Sequence, residues 1–94
     1  MSKLIFRVHA IQKMFERSIS RDDVRDVVEN GEVIREYPDD KPFPSRLMLG
    51  WREKRPLHVV AADDDDDQTI IITAYEPDPA IWEPDFKKKK EQDS

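Results

Sequence analysis

The apolar residues of this chain change their period once, at Gly31, and that change restricts the fold more than any other feature. Before it they recur at helical spacing. Leu4, Val8, Ile11 and Phe15 lie four, three and four apart, with Met14 widening the stripe. This predicts an amphipathic helix entered through a short extended start at residues 3–6. Ser20 then sets a hydroxyl ahead of a second pattern built on Val24, Val27 and Val28, with Asp22 and Asp23 in the first turn, where they complement the helix dipole. A second helix is expected from Ser20 to Asn30, stopped by Gly31 in the left-handed region.

After Gly31 the pattern is that of strands. Residues 32–37 form one, closed by a Pro- and Asp-rich loop. Residues 46–52 alternate Leu47, Leu49 and Trp51 against Arg46, Met48 and Gly50. Residues 53–56 make a tight connection to a third strand at 57–62, and five aspartates turn the chain into a fourth at 68–76. That last strand is apolar on both faces, as a central strand is. Helices first and strands after, joined by short loops, predict an α+β domain. Two N-terminal helices pack on one face of a three- to four-stranded antiparallel sheet, and the other face is free for a site.

Ninety-four residues allow one domain, assigned to residues 1–86. Residues 77–86 hold three prolines and cannot be a regular element, so Ile81, Trp82 and Phe86 are expected to anchor them to the core. Residues 87–94 lack apolar side chains and read as a disordered, charged tail. The chain has no cysteine, which excludes disulfide frameworks and thiolate metal sites. Its apolar start is too short for a signal peptide or a membrane span, so a soluble, cytoplasmic protein with no membrane partner is expected.

The net charge of −5 is unevenly spread: residues 1–62 sum to +2, residues 63–86 to −9, and residues 87–94 to +2. Bulk charge therefore argues against a protein that coats nucleic acid and leaves room for a small basic site. The aspartate run at 63–67 lacks the spaced ligands, bend glycine and distal glutamate of a calcium loop, and the two histidines lack zinc spacing. With only two glycines there is no phosphate loop or nucleotide fingerprint. Neither a metal nor a cofactor is expected.

The chemistry-bearing candidates are few. His58 interrupts an apolar strand on the face opposite Leu57, Val59 and Ala61, where an imidazole can serve as general acid or base; a partly exposed strand histidine with one hydrogen bond is the competing reading. His9, Lys13 and Arg17 line one helical face that is either an anion anchor or simply solvated. Arg46 and Arg52 flank a strand, where guanidinium groups suit phosphate oxygens, and Tyr75 offers a phenol from the fourth strand. The lysines at 87–90 suit an anionic surface or simple solubility.

Several motifs occur in order: His9-Ala10, Met14, Glu16-Arg17-Ser18-Ile19-Ser20, Asp23-Val24, Asn30-Gly31-Glu32-Val33-Ile34, Tyr37-Pro38, Leu47-Met48-Leu49-Gly50, Arg55-Pro56-Leu57-His58-Val59-Val60 and Ile72-Thr73-Ala74-Tyr75-Glu76-Pro77. Over residues 7–86 this pattern resembles a family of small prokaryotic proteins catalogued as a domain of unknown function. That family is similar to the RelE/ParE and BrnT-like toxins, and in setting to MqsR-type toxins. The resemblance implies a RelE-like fold and the toxin-like half of a type II toxin–antitoxin pair. It also implies a cognate antitoxin as partner and RNA as a substrate, cleaved without metal by attack of a ribose 2′-hydroxyl. Carried onto this chain, His58 would be the acid or base, Arg46 the phosphate clamp and Tyr75 an orienting or proton-donating group. His9, Arg17 and Arg52 would border the substrate. A non-enzymatic protein-binding module on the same fold, with Trp51 and Trp82 in its contact surface, is the alternative.

Overall fold

Leu4 and Phe6 pack on the core while Lys3 and Ile5 face outward, an alternation of period two that makes residues Lys3–Phe6 a strand, β1. The structure, a computed structural model, describes residues 3–91. After β1 come α1 (Val8–Glu16), α2 (Arg21–Asn30), β2 (Glu32–Tyr37), β3 (Ser45–Arg52), β4 (Arg55–Asp63) and β5 (Gln68–Tyr75). The five strands form one sheet in the order β1-β5-β4-β3-β2.

This overturns the expected sheet of three or four antiparallel strands behind two N-terminal helices. A strand comes first, the sheet has five strands, and it is mixed because β1 runs parallel to β5. The cause lies in β5, whose residues are apolar on both faces and which needs a neighbour at each edge. β4 pairs with one edge in antiparallel register and β1 with the other, Lys3 opposite Gln68 through Phe6 opposite Ile71.

Both helices lie on one face of the sheet. Ala10 and Met14 of α1, Ile19, and Val24 and Val27 of α2 close over Met48, Leu57, Val59, Ala61, Ile71 and Ala74. The start of α2 carries a full capping box: Ser20 Oγ accepts from the Asp23 N–H at 3.0 Å, and Asp23 Oδ2 accepts from the Ser20 N–H at 2.9 Å. Its end differs from expectation. Gly31 is extended, at φ −79°, and not left-handed. Glycine is required there for space, because a Cβ would lie 2.4 Å from the Val27 carbonyl oxygen and 2.7 Å from that of Leu49. Gly50 serves the same approach from β3, since its Cβ would meet Val27 Cγ2 at 2.6 Å.

Arg55, at the start of β4, bonds the Glu76 carboxylate and the carbonyl oxygens of Arg17 and Ser18, fastening the end of α1 to the sheet. Among the described residues no helix is long and apolar enough to cross a membrane.

Candidate functional site

Strand alternation and one hairpin decide which candidate side chains share a surface. β3 and β4 pair without a break from Ser45 opposite Ala62 to Arg52 opposite Arg55, around a two-residue turn at Glu53-Lys54. Arg46 therefore lies opposite Ala61 on the helix-covered face, and His58 lies opposite Leu49 on the other. Tyr75 pairs with His58 across β4 and β5. The structure thus brings His58 and Tyr75 together and puts the sheet between them and Arg46.

Arg46 is already engaged: Nη1 lies 3.1 Å from Asp63 Oδ2, and Asp63 also accepts from Thr69 Oγ1 at 2.9 Å. Arg52 reaches Asp23 at 3.3 Å, on the same helix-covered face. His9 and Arg17 are exposed on and just after α1, on the helix side of the sheet and away from His58. The guanidinium that shares the face of His58 belongs to Arg35 of β2, opposite Leu47. Sequence reasoning passed over it because a single arginine in an edge strand carries no signal until the β2–β3 register, shifted between Val33 and Arg35, is known.

The face expected to be open is covered at His58 by residues 77–91. His58 is 0% exposed. Its Nε2 lies 2.8 Å from the Phe86 carbonyl oxygen and its Nδ1 3.2 Å from the Tyr75 hydroxyl. A carbonyl can only accept, so Nε2 carries the proton and Nδ1 accepts from the Tyr75 O–H. The Trp82 ring stands edge-on to the imidazole at 4.5 Å, and Phe86 meets Trp51 at 5.8 Å. Burial lowers the His58 pKa below its usual 6.5, against the raising effect of the Phe86 carbonyl. The imidazole is thereby held neutral with both nitrogens engaged. Burial also raises the Tyr75 pKa, with Tyr37 adding to the rise and the Arg35 charge opposing it.

Residues 87–91, read from composition as part of a disordered tail, double back on 81–83. Glu83 N–H donates to the Lys88 carbonyl and Lys90 N–H to that of Ile81, at 2.9 and 2.8 Å, and Lys87 pairs with Glu32 at 3.1 Å. Residues 92–94 lie outside the described residues. Of the three expected anchors, Trp82 is buried, Phe86 is half-buried and Ile81 is exposed.

A second surface lies on α1. Its inward side is only Ala10 and Met14, while Val8, Ile11 and Phe15 are 72, 43 and 87% exposed. Spaced at i, i+3 and i+7, they form one stripe on the helix. Arg7 is the basic residue nearest the stripe, while His9, Lys13 and Arg17 lie about 100° or more around the helix from it, on another face, where Glu16 pairs with Lys13 at 3.8 Å.

Residues 6–76 match a family described as a domain of unknown function, DUF4258. The match names no activity and carries no link to a toxin family. No curated protein and no solved structure matches the chain significantly.

Proposed function

The chain belongs to the DUF4258 family, and we propose that it works as a protein-binding module, the toxin-like half of a two-protein pair whose other member covers α1. One observation carries this reading: the stripe of Val8, Ile11 and Phe15, with Phe15 87% exposed. Scattered apolar residues on a surface need no explanation, but three at helical spacing on one short helix are the half of an interface. The stripe fits an amphipathic helix of a partner, whose apolar face would seat against Val8, Ile11 and Phe15. An antitoxin-like segment of that kind is the partner that the resemblance to toxin families implies.

The 3.2 Å contact between His58 and Tyr75 favours a second reading, an endoribonuclease acting on the opposite face. However, both imidazole nitrogens are engaged, and Arg46 lies on the other face of the sheet. Capture of the product of the adjacent gene by the chain, beside Phe15→Asp and His58→Ala variants at equal soluble levels, and RNA cleavage by the chain alone separate the two. Capture lost with Phe15→Asp and kept with His58→Ala supports binding through α1; RNA cleavage by the chain alone that His58→Ala abolishes, with no capture, overturns it in favour of the nuclease. The product of the adjacent gene supplies the direct test, because the binding reading requires it to form a complex that Phe15→Asp abolishes.

A further inference from the structure

β3 runs on to Arg52, but its neighbour β2 begins at Glu32, opposite Leu49, because the residues before Glu32 belong to the end of α2. The last residues of β3 therefore have β4 on one edge and no strand on the other. Their hairpin turns over Glu53-Lys54, so Arg52 and Arg55 are the hydrogen-bonded pair that closes it, and the alternation of an antiparallel ladder makes Trp51 and Pro56 a pair without hydrogen bonds. Pro56 has no N–H to give. The N–H and C=O of Trp51 point away from β4, into the gap that β2 leaves, and no turn or loop hydrogen bond among the described residues reaches them.

A cavity of about 380 Å³ occupies that gap, with Asp26, Asn30 and Gly31 of the end of α2 and Glu32, Trp51 and Lys87 in its lining. Glu32 and Lys87 pair at 3.1 Å and cancel. Asp26 is left as the uncompensated charge: its Oδ1 accepts from Asn30 Nδ2 at 2.8 Å, and its Oδ2 has no partner among the described residues. The last turn of α2 holds no basic residue, so the negative end of the helix dipole is unmatched as well. Trp51 is 46% exposed, whereas Leu47 and Leu49 on the same face are buried, and Phe86 stands edge-on to the indole at 5.8 Å. A carboxylate, an outward carbonyl and an open indole in one cavity suit a planar cation that only donates. A guanidinium is that group, able to lie on the ring while its N–H groups reach oxygens at its rim. The Trp51 N–H wants an acceptor in addition, and a peptide backbone offers one beside the donor that the Trp51 carbonyl wants, as when a strand is added to a sheet edge.

We infer that the cavity between the end of α2 and Trp51 binds an arginine side chain of an extended segment of another protein, whose backbone pairs with Trp51 and whose guanidinium lies on the indole and bonds Asp26. The site is on the free edge of β3, two strands from β5, on which α1 packs, so it stands or falls independently of partner binding through α1.

The test is a titration of the full chain with a short blocked peptide carrying one central arginine, beside peptides with lysine or citrulline in its place, followed by NMR at the Gly50 and Trp51 amides and the Trp51 indole N–H. The arginine peptide is expected to shift all three signals and to bind at least about threefold more tightly than the citrulline peptide, which keeps the shape and loses the charge. The lysine peptide should fall between them. Asp26 is exposed, so Asp26→Asn leaves the core intact, and it should erase the preference for arginine over citrulline. Trp51→Leu keeps an apolar contact for Phe86 and should weaken the arginine peptide at least about threefold, read at the Gly50 amide. No shift at about 5 mM arginine peptide, equal affinity for the three peptides, or a preference that survives Asp26→Asn overturns the inference. A shifted indole beside an unmoved Trp51 amide overturns the backbone pairing.

Discussion

Phe15 and Met14 are neighbours in α1 with opposite surroundings, and replacing each in turn separates a binding surface from a core. Phe15 is 87% exposed and Met14 is buried beneath the helix. Phe15→Ser therefore removes almost no buried surface, and the stability of the free chain is expected to change by no more than about 0.5 kcal/mol. If a partner covers that ring, the same change forfeits roughly 1.5–3 kcal/mol of transfer free energy on binding. That is a loss of affinity of roughly 10- to 150-fold. Met14→Ala should do the reverse, costing the fold about 2–5 kcal/mol. For a domain this small, that lowers the melting temperature by roughly 8 °C or more. Thermal unfolding of the three proteins, with calorimetric titration against the product of the adjacent gene, reads both effects. A Phe15→Ser protein that melts like Met14→Ala, or that binds like wild type, would refute the reasoning.

Three further perturbations have definite outcomes. The lowered pKa of His58 means that, as pH falls, the unfolded chain takes up the proton first. Stability should then be flat above about pH 6.5 and decline below it toward the lower folded pKa, a slope that urea titrations of His58→Gln should lack between pH 7 and 5. Gly50→Ala puts a methyl group 2.6 Å from Val27 Cγ2 and should cost about 1–3 kcal/mol in denaturant unfolding. Arg55→Ala removes the bonds to Arg17, Ser18 and Glu76 and should cost about 1–3 kcal/mol, with faster amide exchange at the end of α1.

Local signals carried much of the architecture. Ser20 and Asp23 mark the start of α2 because a capping box is written in neighbouring residues, and the alternation from Arg46 to Arg52 assigns the two faces of β3 correctly. Leu4 misled because, although it belongs to an edge strand of four residues, it stands one helical turn before Val8, so that a strand residue and a solvent-facing helical stripe merged into one apparent period. The true inward pair, Ala10 and Met14, contains one of the least conspicuous apolar residues. The candidate site failed to assemble for a related reason. Arg46 is put on the other face from His58 by the β3–β4 register, whose hairpin turns at Glu53, at φ 57°, without the Asn-Gly or Asp-Gly that usually announces such a turn, and Arg35 is put on the His58 face by the β2–β3 register. The docking of residues 77–91 was half-legible: Trp82 and Phe86 were expected to anchor it, while the bond from His58 to a backbone carbonyl is one that no residue type reports.

Hydrogen exchange of the chain alone and in complex with the product of the adjacent gene tests most directly whether α1 is the working surface. The account predicts slowed exchange across Val8–Glu16, while β4 and β5 exchange as in the free chain. A stable complex that leaves α1 unchanged and protects other elements, or a failure of the two proteins to associate, would contradict it.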